Sequence, residues 1–360
     1  MGLANSGAKG SKKAMKTILR VTALAAAVTG AIALGGPAQA DTVEHTSIAL
    51  PATTITFLPV YVAEDTGMWK KLGLEVDLHN ITGIGSTNAM LAGSVDFAVQ
   101  SGPSLIRGNI RGRHMLGIAE MANHEAFALM ARKASFPKLD WKGSLKERVA
   151  ALKGKKVNVD SPNTVVDILL RYYAGKAGLN AKTDMTEVYM QPTEAIAALK
   201  SGSIDAAMLN YPWVETAERE NAASMLVNAI TELPELTPTI ATTTTARQGF
   251  CNDHESICTK LAHGYVESHK FIHEHQKEAL QIALKRMPGA NQSDIEKALK
   301  VLVKAMPEVP RYDAAAFENT QKLMIFGGIL RQDEAQKDFT NMFTNKYVDM
   351  AVKQMASNAR

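Results

Sequence analysis

The 360-residue chain is poor in cysteine (two) and in aromatic side chains (6%), and past its first forty positions it has no apolar run of membrane-spanning length. Two cysteines exclude a disulfide-stapled mini-protein and a multi-zinc scaffold. The P-loop pattern GxxxxGK[ST], the zinc-protease pattern HExxH and the nucleophile elbow GxSxG are all missing. His124-Glu125 has no second histidine at the required position, and Gly83-Ile-Gly85 lacks the third glycine of a dinucleotide fingerprint and reads as a turn. What is present is 46% hydrophobic and 21% charged residues, which excludes a disordered chain. The length allows one large domain or two ordinary ones.

Residues 1–40 contain Lys9, Lys12, Lys13, Lys16 and Arg20 but no acidic residue. An apolar stretch from Thr17 to Leu34 follows, then Ala38-Gln39-Ala40 before Asp41. A basic start, an apolar middle and a small-x-small end predict a secretory signal peptide cleaved after Ala40; an uncleaved membrane anchor is the alternative. No cysteine sits near the cleavage point, so lipid anchoring is not expected. The whole chain has a formal charge of +4; without the five basic residues of the leader, 35 basic residues face 36 acidic ones, a net of −1. A nucleic-acid partner is therefore not expected. In an oxidising compartment Cys251 and Cys258, spaced C-x6-C, are expected to pair. Two free thiols, or a metal site completed by His254, are the alternatives, the latter short of a full zinc shell.

From Thr46 onward, short strands alternate with helices. Strands are predicted at Thr46–Leu50, Leu74–His79, Val95–Val99 and His114–Ala119, and helices at Leu58–Lys71, Ser86–Leu91 and Pro103–Arg111. This pattern argues for a mostly parallel sheet with crossover helices. The theme recurs at an offset of 109 residues: Gly93-Ser-Val-Asp-Phe-Ala98 and Pro103 match Gly202-Ser-Ile-Asp-Ala-Ala207 and Pro212. Two similar α/β lobes follow, near 43–130 and 136–232, with Lys156–Val159 opening the second. Leu233–Thr245 reads as an extended strand returning to lobe one, so that 238–360 joins 43–130. The remainder reads as helices: His254–Glu274, Gln276–Arg286, Gln292–Ala305, Ala314–Ile325 and Glu334–Met355.

Clefts between lobes and the carboxyl ends of parallel strands are preferred ligand sites. Those ends carry hydroxyls, amides and glycines: Thr53 and Thr54; Gly85, Ser86 and Thr87; Ser101 and Gly102; Asn123; Ser161, Asn163 and Thr164; Asn210 before Trp213. At helix N-termini such groups can hold an oxyanion without a charged side chain, or can simply cap the helix. Asp96 and Asp205, equivalent in the repeat, read as structural carboxylates. Arg107, Arg111 and Arg113 read as complementing a helix dipole, with an anion clamp as the alternative. His263, His269, His273 and His275 read as a solvated helix face, with metal binding as the alternative.

Phe57-Leu-Pro-Val-Tyr-Val-Ala63, Gly67-Met-Trp-Lys-Lys-Leu-Gly-Leu-Glu-Val76 and Ala89-Met-Leu-Ala-Gly-Ser-Val-Asp-Phe-Ala98 together carry a resemblance. They resemble the nitrate/sulfonate/taurine-type solute-binding proteins of bacterial ABC importers, a group that includes binders of thiamine-pyrimidine precursors. The resemblance implies an α/β type II clamshell with parallel-sheet lobes and a helical C-terminal segment, residing in the periplasm. It further implies closure on a small polar or anionic solute and delivery to a membrane permease, with no cofactor and no catalysis, as a monomer. It extends the candidate pocket to Phe57 and Trp213, which otherwise read as core aromatics. A ligand-sensing accessory protein shares these features. A related fold makes the thiamine pyrimidine in fungi with a cysteine-rich motif, but here both cysteines fall outside the matching lobes.

Overall fold

The structure, a computed structural model, describes residues 43–358; the expected leader lies outside the described residues. Ten strands are described: β1 (Glu44–Leu50), β2 (Leu74–Asn80), β3 (Phe97–Gln100), β4 (Met115–Ala122), β5 (Phe127–Ala131), β6 (Lys156–Val159), β7 (Thr186–Tyr189), β8 (Ala206–Asn210), β9 (Ser224–Asn228) and β10 (Thr242–Arg247). They form two five-stranded sheets, ordered β2-β1-β3-β10-β4 and β7-β6-β8-β5-β9. The two orders are the same once β6 is set on β1 and β5 on β10.

In each sheet the first strand pairs in parallel with its neighbours, whereas the inserted strand is antiparallel. The expected parallel pairing with crossover helices is present in both lobes, and the inserted strand is the antiparallel exception. β5 and β10 are the strands that cross between lobes, and each enters its sheet from the opposite end. β5 accordingly lies in the second sheet, although the sequence reading leaves most of it at the end of lobe one. Only the last part of Leu233–Thr245 becomes a strand. Pro234–Leu236 forms a 3-10 turn, and Pro238 has no N–H for a ladder.

The repeat is built the same way twice. The Asp96 carboxylate accepts from the Ser47 N–H at 3.1 Å, and the Asp205 carboxylate accepts from the Lys156 N–H at 2.9 Å. Each ties the first strand of its sheet to the loop before the neighbouring parallel strand, as expected of structural carboxylates. Gly93 and Gly202 both adopt positive φ (79° and 78°), a left-handed turn that favours glycine after a helix. The predicted helix Leu58–Lys71 is instead two helices, Leu58–Asp65 and Met68–Lys71, parted where Gly67 turns to φ 67°.

Helices cover both sheets, and two clusters of buried apolar side chains form the interior. The tail helices Glu255–Glu274, Gln276–Arg286, Gln292–Ala305 and Ala314–Phe326 lie within a residue of their predicted bounds. The predicted helix Glu334–Met355 does not form over its first half. There Phe339 and Met342 turn into the core, Gly117 N–H donates to Met342 O, and the helix begins at Lys346. Cys251 and Cys258 form a disulfide, which removes the thiol and metal alternatives. Among the described residues no helix is long and apolar enough to cross a membrane.

Candidate functional site

The carboxyl ends of the two sheets meet. Asn210, ending β8, donates through Nδ2 to Thr54 Oγ1 beyond β1 at 3.4 Å, joining the lobes directly. Behind this seam the two crossing segments run side by side: Thr239 N–H donates to Asn123 O at 2.9 Å and Ala241 N–H to Ala122 O at 3.1 Å. Tail helices brace both segments. Ala305 O accepts from Asn123 N–H, and Thr320 Oγ1 accepts from Ile240 N–H at 2.8 Å.

The expected pocket residues divide by what they touch. Thr53 is exposed at the seam and Thr54 is buried in it. Phe57 packs in the core, with only 7% of its surface exposed, whereas Trp213 is half-buried at the head of the helix Trp213–Arg219. Thr87 points inward. Its hydroxyl donates to Gln100 Oε1 at 3.0 Å, and Gln100 Nε2 donates to Thr245 Oγ1 at 2.7 Å, a chain lying inside the first sheet. Ser86 Oγ donates to Gly83 O at 2.9 Å, and Gly85 N–H to Thr82 O at 3.2 Å, so this helix start is closed by its own loop.

Gly102 is pressed against the returning chain. Its N–H donates to Ile240 O at 2.9 Å, and a Cβ there would come within 2.3 Å of that oxygen. Ser101 shares a hydrogen bond with Ser104 at 3.1 Å. The free backbone donors expected at these two helix starts are thus largely engaged.

In lobe two the helix Val165–Lys176 begins with Thr164 as its N-cap, whose Oγ1 accepts from Asp167 N–H and donates to Ser161 O and to Asp160 Oδ1. Asp160 Oδ1 also accepts from Ser161 N–H at 2.6 Å, and Asp167 Oδ2 accepts from Asn163 N–H at 2.6 Å. Asn163 is exposed and adopts φ 62°, a conformation asparagine tolerates. Two of the protein's own carboxylates therefore occupy the positive end of this helix. Asp167 is fully buried and paired with Arg171, while burial raises the Asp160 pKa. Asp160 was missed in the sequence; a carboxylate closing a strand directly before Ser-Pro-Asn-Thr was the available signal.

Glu125 was missed as well. It lies fully buried between the crossing segments, accepting at Oε1 from Thr239 Oγ1 at 3.1 Å, and burial pushes its pKa up to about 7. On the far side of the seam, Asp294 of the tail accepts from Thr216 Oγ1 at 2.9 Å and from Arg219 Nε, linking the helices Gln292–Ala305 and Trp213–Arg219. His263 and His269 are buried, which corrects the solvated-face reading. His269 Nδ1 bonds to Pro307 O at 2.8 Å, and desolvation lowers its pKa to about 4. Among the described residues no group of three or more metal-ligating side chains is assembled. Arg107, Arg111 and Arg113 sit at the end of the helix Gly102–Ile110 remote from the seam.

A family described as NMT1/THI5 like matches residues 54–279. A protein of Brucella abortus (strain 2308) named as a binding protein is 31% identical over 163 residues, 43% of this chain and 44% of the relative. The match thus spans less than half the length of that relative. Among solved structures, the periplasmic aliphatic sulphonate binding protein SsuA from Escherichia coli superposes with TM-score 0.64 at 17% identity, covering 83% of this chain and 90% of that one. The periplasmic nitrate-binding protein NrtA from Synechocystis PCC 6803 gives TM-score 0.65 at 14% identity, covering 87% and 89%. The desulfurization enzyme DSZB shares the fold at TM-score 0.60 and 13% identity, covering 87% and 99%. The repeated sheets, the exchanged strands and the matched segment lead to one assignment: this chain belongs to the NMT1/THI5-like family and has the two-lobed α/β fold of periplasmic binding proteins.

Proposed function

We propose that the protein is the solute-binding component of an ABC importer, holding a small polar organic solute between its lobes and presenting it to a membrane permease. The observation that carries this reading is the seam. Polar loops from both sheets meet across Thr54 and Asn210, while two short crossing segments form the only backbone passages between the sheets among the described strands. Such a hinge lets ligand contacts present only in the closed form shift the population towards it. On this reading the chain is exported to the periplasm, residues 1–40 are removed, and it acts as a monomer with no cofactor. Thr53, Thr54, Ser101, Ser161, Asn163, Asn210 and Trp213 are the residues we assign to the pocket.

One observation favours an organic solute over a bare inorganic anion. Two large hydrophobic side chains stand exposed near strand carboxyl ends: Ile84 (56%), which opens the helix Ile84–Leu91 after β2, and Tyr189 (50%), which ends β7. Each offers apolar or stacking surface to a solute. An aromatic acid or a pyrimidine would use that surface, and nitrate would not.

A thermal-shift screen of the purified protein against taurine, alkanesulfonates, nitrate, aromatic acids and pyrimidines tests the proposal. A ligand at a hundredfold excess over its Kd should stabilise by about 2.7 kcal/mol. Turnover of a stabilising compound would replace the binding reading with an enzymatic one.

A further inference from the structure

Most arginines of this protein are matched to an acceptor within it. Of the eleven among the described residues, six are ion-paired with carboxylates: Arg148, Arg171, Arg219, Arg286, Arg311 and Arg331. Arg247 donates to Met90 O and Val95 O, and Arg132 lies against the helix-ending glycine Gly202. The other three, Arg107, Arg111 and Arg113, stand together at one turn. None of them has a carboxylate within ion-pair distance among the described residues, and Arg113 reaches only Asn88 Oδ1, at 3.5 Å.

The end of the helix Gly102–Ile110 gathers them. Arg111 N–H donates to Arg107 O at 3.1 Å, Gly112 takes φ 74°, and Arg113 N–H turns back to Gly108 O at 2.9 Å. Arg107 and Arg111, four residues apart, share a helix face. Arg111 and Arg113 are exposed and Arg107 is half-buried. Burial lowers the Arg107 pKa, and the charges of Arg111 and Arg113 lower it further.

The second lobe shows that the turn does not need this charge. At the offset of 109 residues, Glu220 N–H donates to Thr216 O at 3.0 Å, Asn221 takes φ 53°, and Ala222 N–H donates to Ala217 O at 2.9 Å. The places of Arg107, Arg111 and Arg113 are taken there by Thr216, Glu220 and Ala222. Thr216 bonds to Asp294, Glu220 pairs with Lys200 and Arg219, and Ala222 is buried. A single cation in the last turn, Arg219, is what lobe two supplies to its helix dipole. One copy of the turn is neutralised from within, and the other keeps three guanidinium groups without a counter-charge.

We infer that Arg107, Arg111 and Arg113 form a binding site for a phosphate oxyanion, at the amino end of the first sheet where β4 begins and away from the seam. Guanidinium groups hold phosphate oxygens through paired N–H donors, and the three surround one phosphate group between them. A soluble phosphate compound and a phospholipid headgroup offer the same chemistry.

Two probes distinguish these sources. The purified protein is titrated calorimetrically with inorganic pyrophosphate at low salt, and co-sedimented with phosphatidylcholine vesicles with and without phosphatidylglycerol. Binding of pyrophosphate supports a soluble ligand; binding of the phosphatidylglycerol vesicles without pyrophosphate binding supports a headgroup. The triple change Arg107→Thr, Arg111→Glu and Arg113→Ala brings in the residue types that the same turn carries in lobe two. It should weaken the responding probe about tenfold or more without lowering the melting temperature. The milder pair Arg111→Ser and Arg113→Ser, confined to exposed positions, should weaken it severalfold. Binding of neither probe, or unchanged binding by the triple variant, would overturn the site. So would an equal loss on changing two exposed lysines of lobe two, Lys142→Ser with Lys182→Ser, since that would mean attraction by overall charge alone.

Discussion

At the scale of single residues, close packing decides more than polarity. Gly102 reads in the sequence as one of several small loop residues beside a ligand. Its N–H is held by Ile240 O, and any Cβ would collide with that oxygen at 2.3 Å. Gly102→Ala should therefore lower stability by about 1–3 kcal/mol through overpacking, measured by chemical denaturation. Thr87 and Phe57 make the same point. Both sit at loop positions that suit a pocket, yet both side chains turn inward, and nothing in their local pattern sets the direction. Glu125 carries a pH signature. Its carboxyl ionises near 4.5 in an unfolded chain and near 7 in the folded one. The stability it favours is present below pH 4.5 and is lost as pH rises to about 7. Glu125→Gln should gain stability over the parent between pH 5 and pH 8, on the order of 2 kcal/mol, in paired melting curves. Glu215, also raised to about 7 by burial, contributes a slope of the same sign. His269, lowered to about 4, contributes the opposite one, lost as pH falls from 6.5. Comparison of parent and variant isolates the Glu125 share.

At the scale of elements, the strongest predictions came from features that repeat or are punctuated. The offset of 109 residues located β3 and β8, because Gly-Ser-β-branched-Asp must recur wherever a helix is ended, a strand is started and a carboxylate holds the neighbouring strand. The tail helices were legible from apolar periodicity with proline and glycine breaks between them. Strand direction was not legible. Nothing in Phe127–Ala131 or Thr242–Arg247 distinguishes a strand entering its sheet from one end or the other; that follows from which lobe the preceding chain has just left. The stretch 335–345 shows a related limit, since its apolar residues suit a helix but Phe339 and Met342 are buried by a loop instead. Between elements, the contact of Gln292–Ala305 with Trp213–Arg219 depends on one carboxylate. Asp294→Ala leaves Thr216 Oγ1 and Arg219 Nε without their shared acceptor and should cost about 1.5–3 kcal/mol in thermal or denaturant unfolding. A loss below about 0.5 kcal/mol would mean that the helices are held by packing alone.

At the scale of the whole molecule, the crossing segments and the tail are joined by hydrogen bonds. Ala305 O and Thr320 Oγ1 each take a backbone N–H from a crossing segment, so lobe motion must carry the tail helices with it or break those bonds. If the lobes close on a solute, small-angle scattering should show the radius of gyration falling when a stabilising ligand from the screen is added. An unchanged radius would point to a preformed pocket. The exchange of β5 and β10 has a further consequence, for the order in which the molecule can be made. Sheet one needs β10 between β3 and β4, and β10 follows every strand of sheet two in the chain. A nascent polypeptide ending anywhere before Thr242 leaves β3 and β4 with unpaired edges, open to association with other chains. Maturation of the first lobe must wait until Arg247 has been synthesised, through contacts as distant as Thr245 with Ala98.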